Sequence, residues 1–201
     1  MKRSPPEYFQ DAEQARSYAQ SSAKRSINIA REVFVKWLQQ QGFSEGRILE
    51  VGCGSGEVAI ELAIQFPKAK VTGLDLSEPM LEMARASAEN AGLSDRVLFK
   101  KGDTQSMPFE DKSFDAIVSL NTFHVVKDPV LMVNEIERVL APDGCLMVTD
   151  IRRSWLGLFM PILKTAYTST EAREVLSRSR LRRYEFLQGR FTFVVRCRCA
   201  R

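Results

Sequence analysis

Short apolar runs alternate along the chain with segments in which apolar residues recur every three or four positions, as in strands separated by helices. The runs predict five strands, at residues 47–51, 70–75, 96–100, 115–120 and 145–150. Helical periodicity extends from Val58 to Phe66, from Met80 to Ala88, and over residues 128–140. Because strands that alternate with helices form parallel sheets covered on both faces, we predict a doubly wound α/β fold.

The chain before the first strand has helical patterns of its own. Residues 7–22 predict a weakly amphipathic helix, and residues 27–38 predict a second helix that stops at Gly42. We therefore expect residues 1–45 to form a helical cap.

The chain after the fifth strand departs from the alternation. Residues 155–167 predict an apolar helix that Pro161 kinks or starts. Residues 168–171, Thr-Ser-Thr-Glu, resemble a capping box for a last helix. Two further apolar runs, at residues 183–187 and 191–198, predict a closing antiparallel hairpin. With this hairpin the mostly parallel sheet would have seven strands.

Length and composition favour a single domain. The chain has 201 residues, of which 44% are hydrophobic, so residues 46–150 can form a core between the cap and the C-terminal part, residues 151–201. The sequence has neither an apolar stretch of roughly 20 residues nor an N-terminal apolar run, so we expect no membrane span and no secretory signal. The four cysteines do not form a disulfide framework by their spacing, which predicts free thiols and a cytoplasmic protein.

Positive charge is concentrated toward the C-terminus. Residues 1–150 carry 17 basic and 22 acidic side chains, whereas residues 151–201 carry 12 basic and 3 acidic ones. Such an imbalance can mark a surface that binds RNA. A solvated arginine-rich surface is the favoured interpretation, because aromatic residues are not interleaved with the arginines as base stacking requires.

The first predicted strand leads into a glycine-rich loop, Gly-Cys-Gly-Ser-Gly at residues 52–56, and a helix follows. This arrangement surrounds a ligand with backbone amides at the carboxyl edge of a sheet. The dinucleotide fingerprint needs a glycine where Glu57 stands, and a Walker loop needs a lysine that is absent here. Glu50 and Glu57 would repel a polyphosphate, but they are compatible with a cationic ligand.

Residues 50–56, Glu-Val-Gly-Cys-Gly-Ser-Gly, resemble the first motif of the class I S-adenosylmethionine-dependent methyltransferases, of the type that acts on small molecules. Further similarity follows in the family's order at Asp75, at residues 102–104 and at residues 138–144, where Asp143 replaces a glycine of the family pattern. The resemblance covers about residues 45–150. It implies S-adenosylmethionine as cofactor, S-adenosylhomocysteine as product and no metal.

The resemblance also assigns residues to the cofactor. Asp75 would bind the ribose hydroxyls, Leu76 and Met80 would flank the adenine, and Asp103 would meet the adenine amino group. Asp75 as a helix cap and Asp103 as a turn-forming residue are the structural alternatives. Tyr18 could cover the carboxylate end of the cofactor, and a plain helix contact is the favoured alternative for it. The full predicted cofactor-binding set is Tyr18, Glu50, Gly52, Cys53, Gly54, Ser55, Gly56, Asp75, Leu76, Met80, Asp103, Thr104, Ser119 and Asn121.

His124 is the one candidate for a catalytic base. It lies four residues past the fourth predicted strand, in a region that resembles the family segment beside the site of methyl transfer. An imidazole there could accept a proton near neutral pH. A histidine that only holds the loop is an equally good interpretation.

The acceptor is not encoded by any motif. Relatives often recognise it through the N-terminal helices and through insertions after the fifth strand, here residues 8–41 and 151–182. The sequence Ser-Leu-Asn-Thr at residues 119–122 replaces the signature of many adenine-methylating relatives, which favours a small molecule. An RNA methyltransferase and a non-catalytic S-adenosylmethionine-binding protein are the alternatives, and a nicotinamide dehydrogenase is disfavoured by the loop spacing. The oligomeric state is left open.

Overall fold

Seven strands form one sheet in the computed structural model, which describes residues 11–153 and 165–199. The strands are β1 (Glu45–Val51), β2 (Lys68–Asp75), β3 (Val97–Lys101), β4 (Phe114–Leu120), β5 (Leu140–Ile151), β6 (Glu185–Gln188) and β7 (Thr192–Cys197). Their order across the sheet is β3-β2-β1-β4-β5-β7-β6. β1 to β5 are parallel, and β7 pairs antiparallel with both β5 and β6. The predicted doubly wound sheet with its closing hairpin is confirmed.

Helices flank the sheet and begin at polar caps. They are α1 (Ala12–Ile29), α2 (Lys36–Gln40), α3 (Glu57–Gln65), α4 (Glu78–Asn90), α5 (Pro129–Val139) and α6 (Ser169–Arg178). Ser77 caps α4, Asp128 caps α5, and Thr168 forms a reciprocal capping box with Glu171 at the start of α6. The starts of α5 and α6 were predicted. Most of the apolar helix predicted at residues 155–167 lies outside the described residues.

The N-terminal segment is one continuous helix rather than the two predicted. α1 passes through a π-helical segment, Ala30–Val35, directly into α2. The sequence offers no glycine or proline between the two amphipathic patterns, and the hydroxyl groups of Ser21 and Ser22 donate to the Tyr18 carbonyl within the helix. Because a π-helical turn inserts an extra residue, it absorbs the change of phase between the patterns.

Alternate residues of the central strands face two separate apolar clusters, as the period of a strand requires. Leu49 and Ile117 face a buried cluster that includes residues of α5 and α6. Ile48 and Val118 face the other cluster, which includes residues of α2 and α3. The sheet is therefore the middle of three layers.

The order in which strands are added reverses between β1 and β4. β1 pairs with β2 on one side and with β4 on the other. In open α/β sheets, ligands bind outside the carboxyl ends of the strands at such a reversal. Here the carboxyl ends of β1, β2 and β5 carry the acids Glu50, Asp75 and Asp150.

The cysteines correct one prediction. Cys145 and Cys199 form a disulfide, while Cys53 and Cys197 are free. The expectation of four free thiols is therefore wrong for this pair. The pairing of β7 with β5 brings the two positions together although they are 54 residues apart, so their spacing gave no signal.

Across residues 11–153 and 165–199, no helix is both long and apolar enough to cross a bilayer.

Candidate functional site

Glycines in the left-handed backbone region shape the loop between β1 and α3. Gly52, Gly54 and Gly56 have φ angles of +73°, +51° and +86°. A Cβ atom on Gly52 would lie 2.1 Å from Oγ1 of Thr122, whereas one on Gly54 would meet nothing within 4 Å. Gly54 therefore presents open backbone to the cleft that it lines. Cys53 lies buried in the loop, and burial raises the pKa of its thiol well above the ordinary value.

Asp75 connects this loop to the end of β2. Its Oδ2 accepts a hydrogen bond from the Gly54 amide at 2.8 Å, and its Oδ1 accepts one from the Ser77 amide at 2.9 Å. Burial raises the pKa of Asp75, and the hydrogen bonds from backbone amides oppose this rise. The carboxylate thus orients the glycine loop and also engages the N-cap residue of α4. Since each carboxylate oxygen has a second lone pair, ligand hydroxyls can still be accepted.

Glu50, next to the end of β1, is a buried acid that lacks part of its hydrogen bonding. It is 2% exposed, and its Oε2 has no hydrogen-bond partner among the residues that the structure describes. Burial and then the charges of Glu57 and Asp75 raise the pKa of Glu50 well above its ordinary value. Glu57 itself accepts from the Ser55 hydroxyl with both carboxylate oxygens, at 2.8 and 2.9 Å. A cationic ligand would stabilise this concentration of negative charge.

One face of α1 forms another wall of the cleft. Tyr18, Ser22 and Ser26 recur every four residues, and all three line the cleft. Burial raises the pKa of the Tyr18 phenol, Arg25 opposes the rise, and Asp150 adds to it. The Tyr18 side chain therefore lies within electrostatic reach of the carboxyl end of β5.

The end of β4 and the segment after it contribute polar residues with different roles. The Ser119 hydroxyl is fully buried and donates to the Val51 carbonyl at 2.9 Å, and the Thr122 hydroxyl donates to the same carbonyl at 3.1 Å. Asn121, with φ of +56°, lines the cleft. Of the two residues predicted here, Asn121 reaches the cleft, while the Ser119 side chain joins β4 to β1.

His124 lines the same cleft and has a carboxylate behind it. Its Nδ1 lies 2.7 Å from Oδ1 of Asp150, and its backbone amide donates to Oδ2 at 3.2 Å. His124 is 3% exposed and Asp150 is fully buried. Both oxygens of Asp150 therefore engage the same residue.

A second cleft adjoins the first and is lined by Leu76, Asp103 and Thr104 together with Asp75. Asp103 accepts from the Gln105 amide at 2.8 Å and from the Gln105 side chain at 3.0 Å. The turn-forming alternative for Asp103 is thus present in the structure, and its carboxylate still lines the cleft. Met80, predicted beside Leu76, lines the first cleft instead.

The two clefts meet at Gly52, Asp75, Thr122 and Val125, which line both. Their volumes are about 150 Å³ and about 510 Å³. Together they match the size of sites that enclose a small ligand, roughly 300–1,000 Å³. The predicted cofactor residues other than Ser119 and Gly56 line one cleft or both. Gly56 packs inward, where a Cβ atom would lie 2.7 Å from the Phe99 ring.

Among the residues at this site that the sequence interpretation missed are Asp150, Thr122 and Ser22. A signal existed for Asp150, because it is the last residue of the fifth predicted strand, as Asp75 is the last of the second. No local sequence signal marks Thr122 and Ser22, because their positions at the site depend on the close approach of β4 and α1 to the glycine loop.

Comparisons with known proteins agree with this geometry. A protein-family model described as a methyltransferase domain matches residues 43–188. Over 106 residues the chain is 41% identical to a fatty-acid O-methyltransferase of Mycolicibacterium smegmatis, covering 53% of this chain and 37% of that protein. It is 35% identical over 129 residues to a malonyl-[acyl-carrier protein] O-methyltransferase of Legionella pneumophila, covering 64% and 44%. The chain thus spans less than half the length of these curated relatives.

A solved structure extends the similarity to nearly the whole chain. An S-adenosylmethionine-dependent methyltransferase from Aquifex aeolicus superposes with a TM-score of 0.76, covering 94% of this chain and 98% of that one. The sequence identity is 24%, so this likeness shows the fold.

Proposed function

Because the chain belongs to the class I S-adenosylmethionine-dependent methyltransferase family, whose domain model matches residues 43–188, we propose that it methylates a small organic acceptor. The observation that carries the proposal is the hydrogen bond from the Gly54 amide to Asp75. It joins the two cofactor motifs of the sequence at the cleft, with a separation of 2.8 Å.

The chemistry of the site fits S-adenosylmethionine, the cofactor of this family. The carboxyl groups of Glu50, Glu57 and Asp75 line the cleft, and Oε2 of Glu50 lacks a partner among the described residues. This acidic lining suits a ligand with a sulfonium and an ammonium group. The same charges oppose a pyrophosphate, as the loop spacing already indicated.

Distinct residues would hold distinct parts of the cofactor. The loop at Gly54 would take the amino-acid end together with Glu50, Asp75 would accept the ribose hydroxyls, and Leu76 and Asp103 would border the adenine. Bound S-adenosylmethionine supplies a methyl group already activated by its sulfonium. The residues around the clefts therefore have to bind, orient and exclude water rather than provide a covalent intermediate.

A small-molecule acceptor is supported by the relative that is named for a fatty acid. The names of other matching proteins refer to a rifamycin precursor and to sterols. The acceptor of this chain is a separate question, since the similarity covers only part of each relative.

A labelled-methyl assay tests the proposal. The purified chain is incubated with methyl-labelled S-adenosylmethionine and, in separate arms, with a panel of small organic molecules and with total RNA. We expect S-adenosylhomocysteine and a labelled small molecule in the first arm, and neither with Asp75→Ala. Label only in RNA, with binding that weakens steeply as salt is raised, would support the RNA alternative instead. Cofactor binding without transfer in any arm would favour a non-catalytic binding protein.

A further inference from the structure

A carboxylate lies directly behind the only histidine of the chain. We propose that Asp150 is a positioning residue that holds His124 as the proton acceptor for a neutral hydroxyl group of the methyl acceptor. This inference rests on the proposed methyl transfer. It names both the class of the reacting group and the residue that prepares the ring.

The hydrogen bonds fix both the place and the tautomer of the ring. Oδ1 of Asp150 lies 2.7 Å from Nδ1 of His124, while Oδ2 accepts from the His124 amide at 3.2 Å. A carboxylate accepts hydrogen bonds, so in the proposed arrangement Nδ1 donates to Oδ1 and carries the ring proton. In the neutral ring the lone pair then resides on Nε2, which is the nitrogen able to accept a proton.

The burial of the two residues assigns different roles to them. Asp150 is fully buried, and only His124 of the pair lines the cleft, as Tyr18 and Asn121 also do. Asp150 therefore acts through the ring rather than on the acceptor.

The charge around the cleft points to a neutral reacting group. Glu57 lines it together with His124, next to Glu50 and Asp75, which would hold the cofactor, so a carboxylate acceptor would enter a cleft of negative charge. A carboxylate is also ionised at neutral pH and needs no base, whereas a hydroxyl group must lose its proton. A proton acceptor in an acid-lined cleft therefore matches a hydroxyl group. This distinguishes the chain from relatives named for the methylation of acids.

The step balances without a further reactant. The hydroxyl proton moves to Nε2 of His124 as the oxygen forms its bond to the methyl carbon. The sulfur–methyl bond breaks with its electron pair remaining on sulfur, giving a methyl ether and S-adenosylhomocysteine. His124 then returns the proton to water, and Asp150 stabilises the charged ring in between.

The single histidine makes the positioning role directly measurable. A two-bond proton–nitrogen correlation spectrum of the imidazole, recorded on the untagged chain with the ring neutral, identifies which nitrogen carries the proton. We expect protonation at Nδ1 in the wild type. In Asp150→Asn the new amide can donate to Nδ1, so we expect a shift toward protonation at Nε2. A wild-type ring protonated at Nε2 would overturn the proposal, and this measurement requires no variant to fold.

Asp115→Asn is the matched control. Asp115 lies near the amino end of β4, away from the cleft at the carboxyl ends of the strands, and its Oδ2 accepts from the Arg47 amide at 2.7 Å. We expect this variant to leave the histidine spectrum unchanged. Equal spectral changes in Asp150→Asn and Asp115→Asn would mean a general structural effect and would contradict positioning by Asp150.

Kinetics with the acceptor found in the labelled-methyl assay extend the test. We expect His124→Gln to lower kcat roughly 100-fold or more, and Asp150→Asn at least about tenfold, with the acceptor KM and the Kd for S-adenosylmethionine nearly unchanged. Unchanged kcat in both variants, or an acceptor that is a carboxylate, would overturn the inference. The spectrum needs neither cofactor nor turnover, so it separates this failure from a failure of the proposed function.

Discussion

Gly54 and Gly92 share one backbone geometry but differ in position. Their φ angles are +51° and +66°, and in both a Cβ atom would meet nothing within 4 Å. Only Gly54 lines the cleft. We expect Gly54→Ala and Gly92→Ala each to cost about 1–2 kcal/mol in the free energy of unfolding, because alanine is disfavoured in the left-handed region.

Binding of S-adenosylmethionine should separate these two variants. The added methyl of Gly54→Ala projects into the proposed cofactor site, so titration calorimetry should show at least a tenfold weaker Kd, with Gly92→Ala like the wild type. Normal affinity in Gly54→Ala would remove the glycine loop from the binding site.

Glu50 and Glu61 are equally buried acids with opposite surroundings. Glu61 receives two hydrogen bonds from Arg31, at 2.7 and 3.1 Å, whereas Oε2 of Glu50 has no partner within residues 11–153 and 165–199. We expect Glu50→Gln to raise the free energy of unfolding at neutral pH by about 1–3 kcal/mol and Glu61→Gln to lower it. Thermal unfolding checks both signs, and a loss of stability in Glu50→Gln would contradict the unpaired charge.

The pH dependence of stability follows from the same residue. Because burial raises the pKa of Glu50, the unfolded chain releases this proton first, near the ordinary value of 4.5, while the folded chain still holds it. The folded state therefore binds more protons above that pH, and stability falls as the pH rises. The free energy of unfolding, measured at increasing pH from about 4.5, should fall less steeply in Glu50→Gln than in the wild type. An unchanged slope would mean that the pKa of Glu50 is not raised.

At the scale of elements, α5 holds the loop that carries Asp103 and Thr104. Arg138 of α5 donates to the Phe109 carbonyl at 2.7 Å and to the Met107 carbonyl at 3.0 Å. Glu135, three residues earlier, accepts from the Met107 amide at 2.7 Å. The helix thus fixes the border of the second cleft without lining it.

Arg138→Gln tests this support. We expect the Kd for S-adenosylmethionine to rise about three- to tenfold, because the loop loses its attachment to α5. Arg96→Gln is the control. Arg96 donates to the carbonyls of Ala63 and Ala69, at 3.0 and 3.4 Å, near the amino ends of β2 and β3 and away from the clefts. Both variants should lose stability by about 1–3 kcal/mol. Equal affinities would show that the loop needs no such support.

The predictability of the elements depended on local signals. The capped helices were predictable because the caps at Ser77, Asp128 and Thr168 act within one turn of the chain. The fusion of two predicted helices was not predicted, because the π-helical segment absorbs a change of phase that the sequence pattern presents as a break between helices. At the site, Asp75 was predictable from its place at a strand end. The use of Ser119 as a link to β1 required knowledge of the register.

At the scale of the molecule, the site is assembled from separate parts of the chain. The glycine loop, Asp75, the segment after β4 and α1 meet at one edge because the strand order reverses between β1 and β4. The family resemblance indicated this meeting from residues 45–150. The disulfide between Cys145 and Cys199 escaped prediction because only the antiparallel pairing of β7 brings the two positions together.

Calorimetric titration of the purified chain with S-adenosylmethionine, S-adenosylhomocysteine and NAD, alongside Asp75→Ala, tests the central claim most directly. The account predicts binding of both sulfur nucleosides, none of NAD, and a large loss of affinity in the variant while it remains folded by circular dichroism. Binding of NAD alone, or wild-type affinity for S-adenosylmethionine in Asp75→Ala, would contradict it.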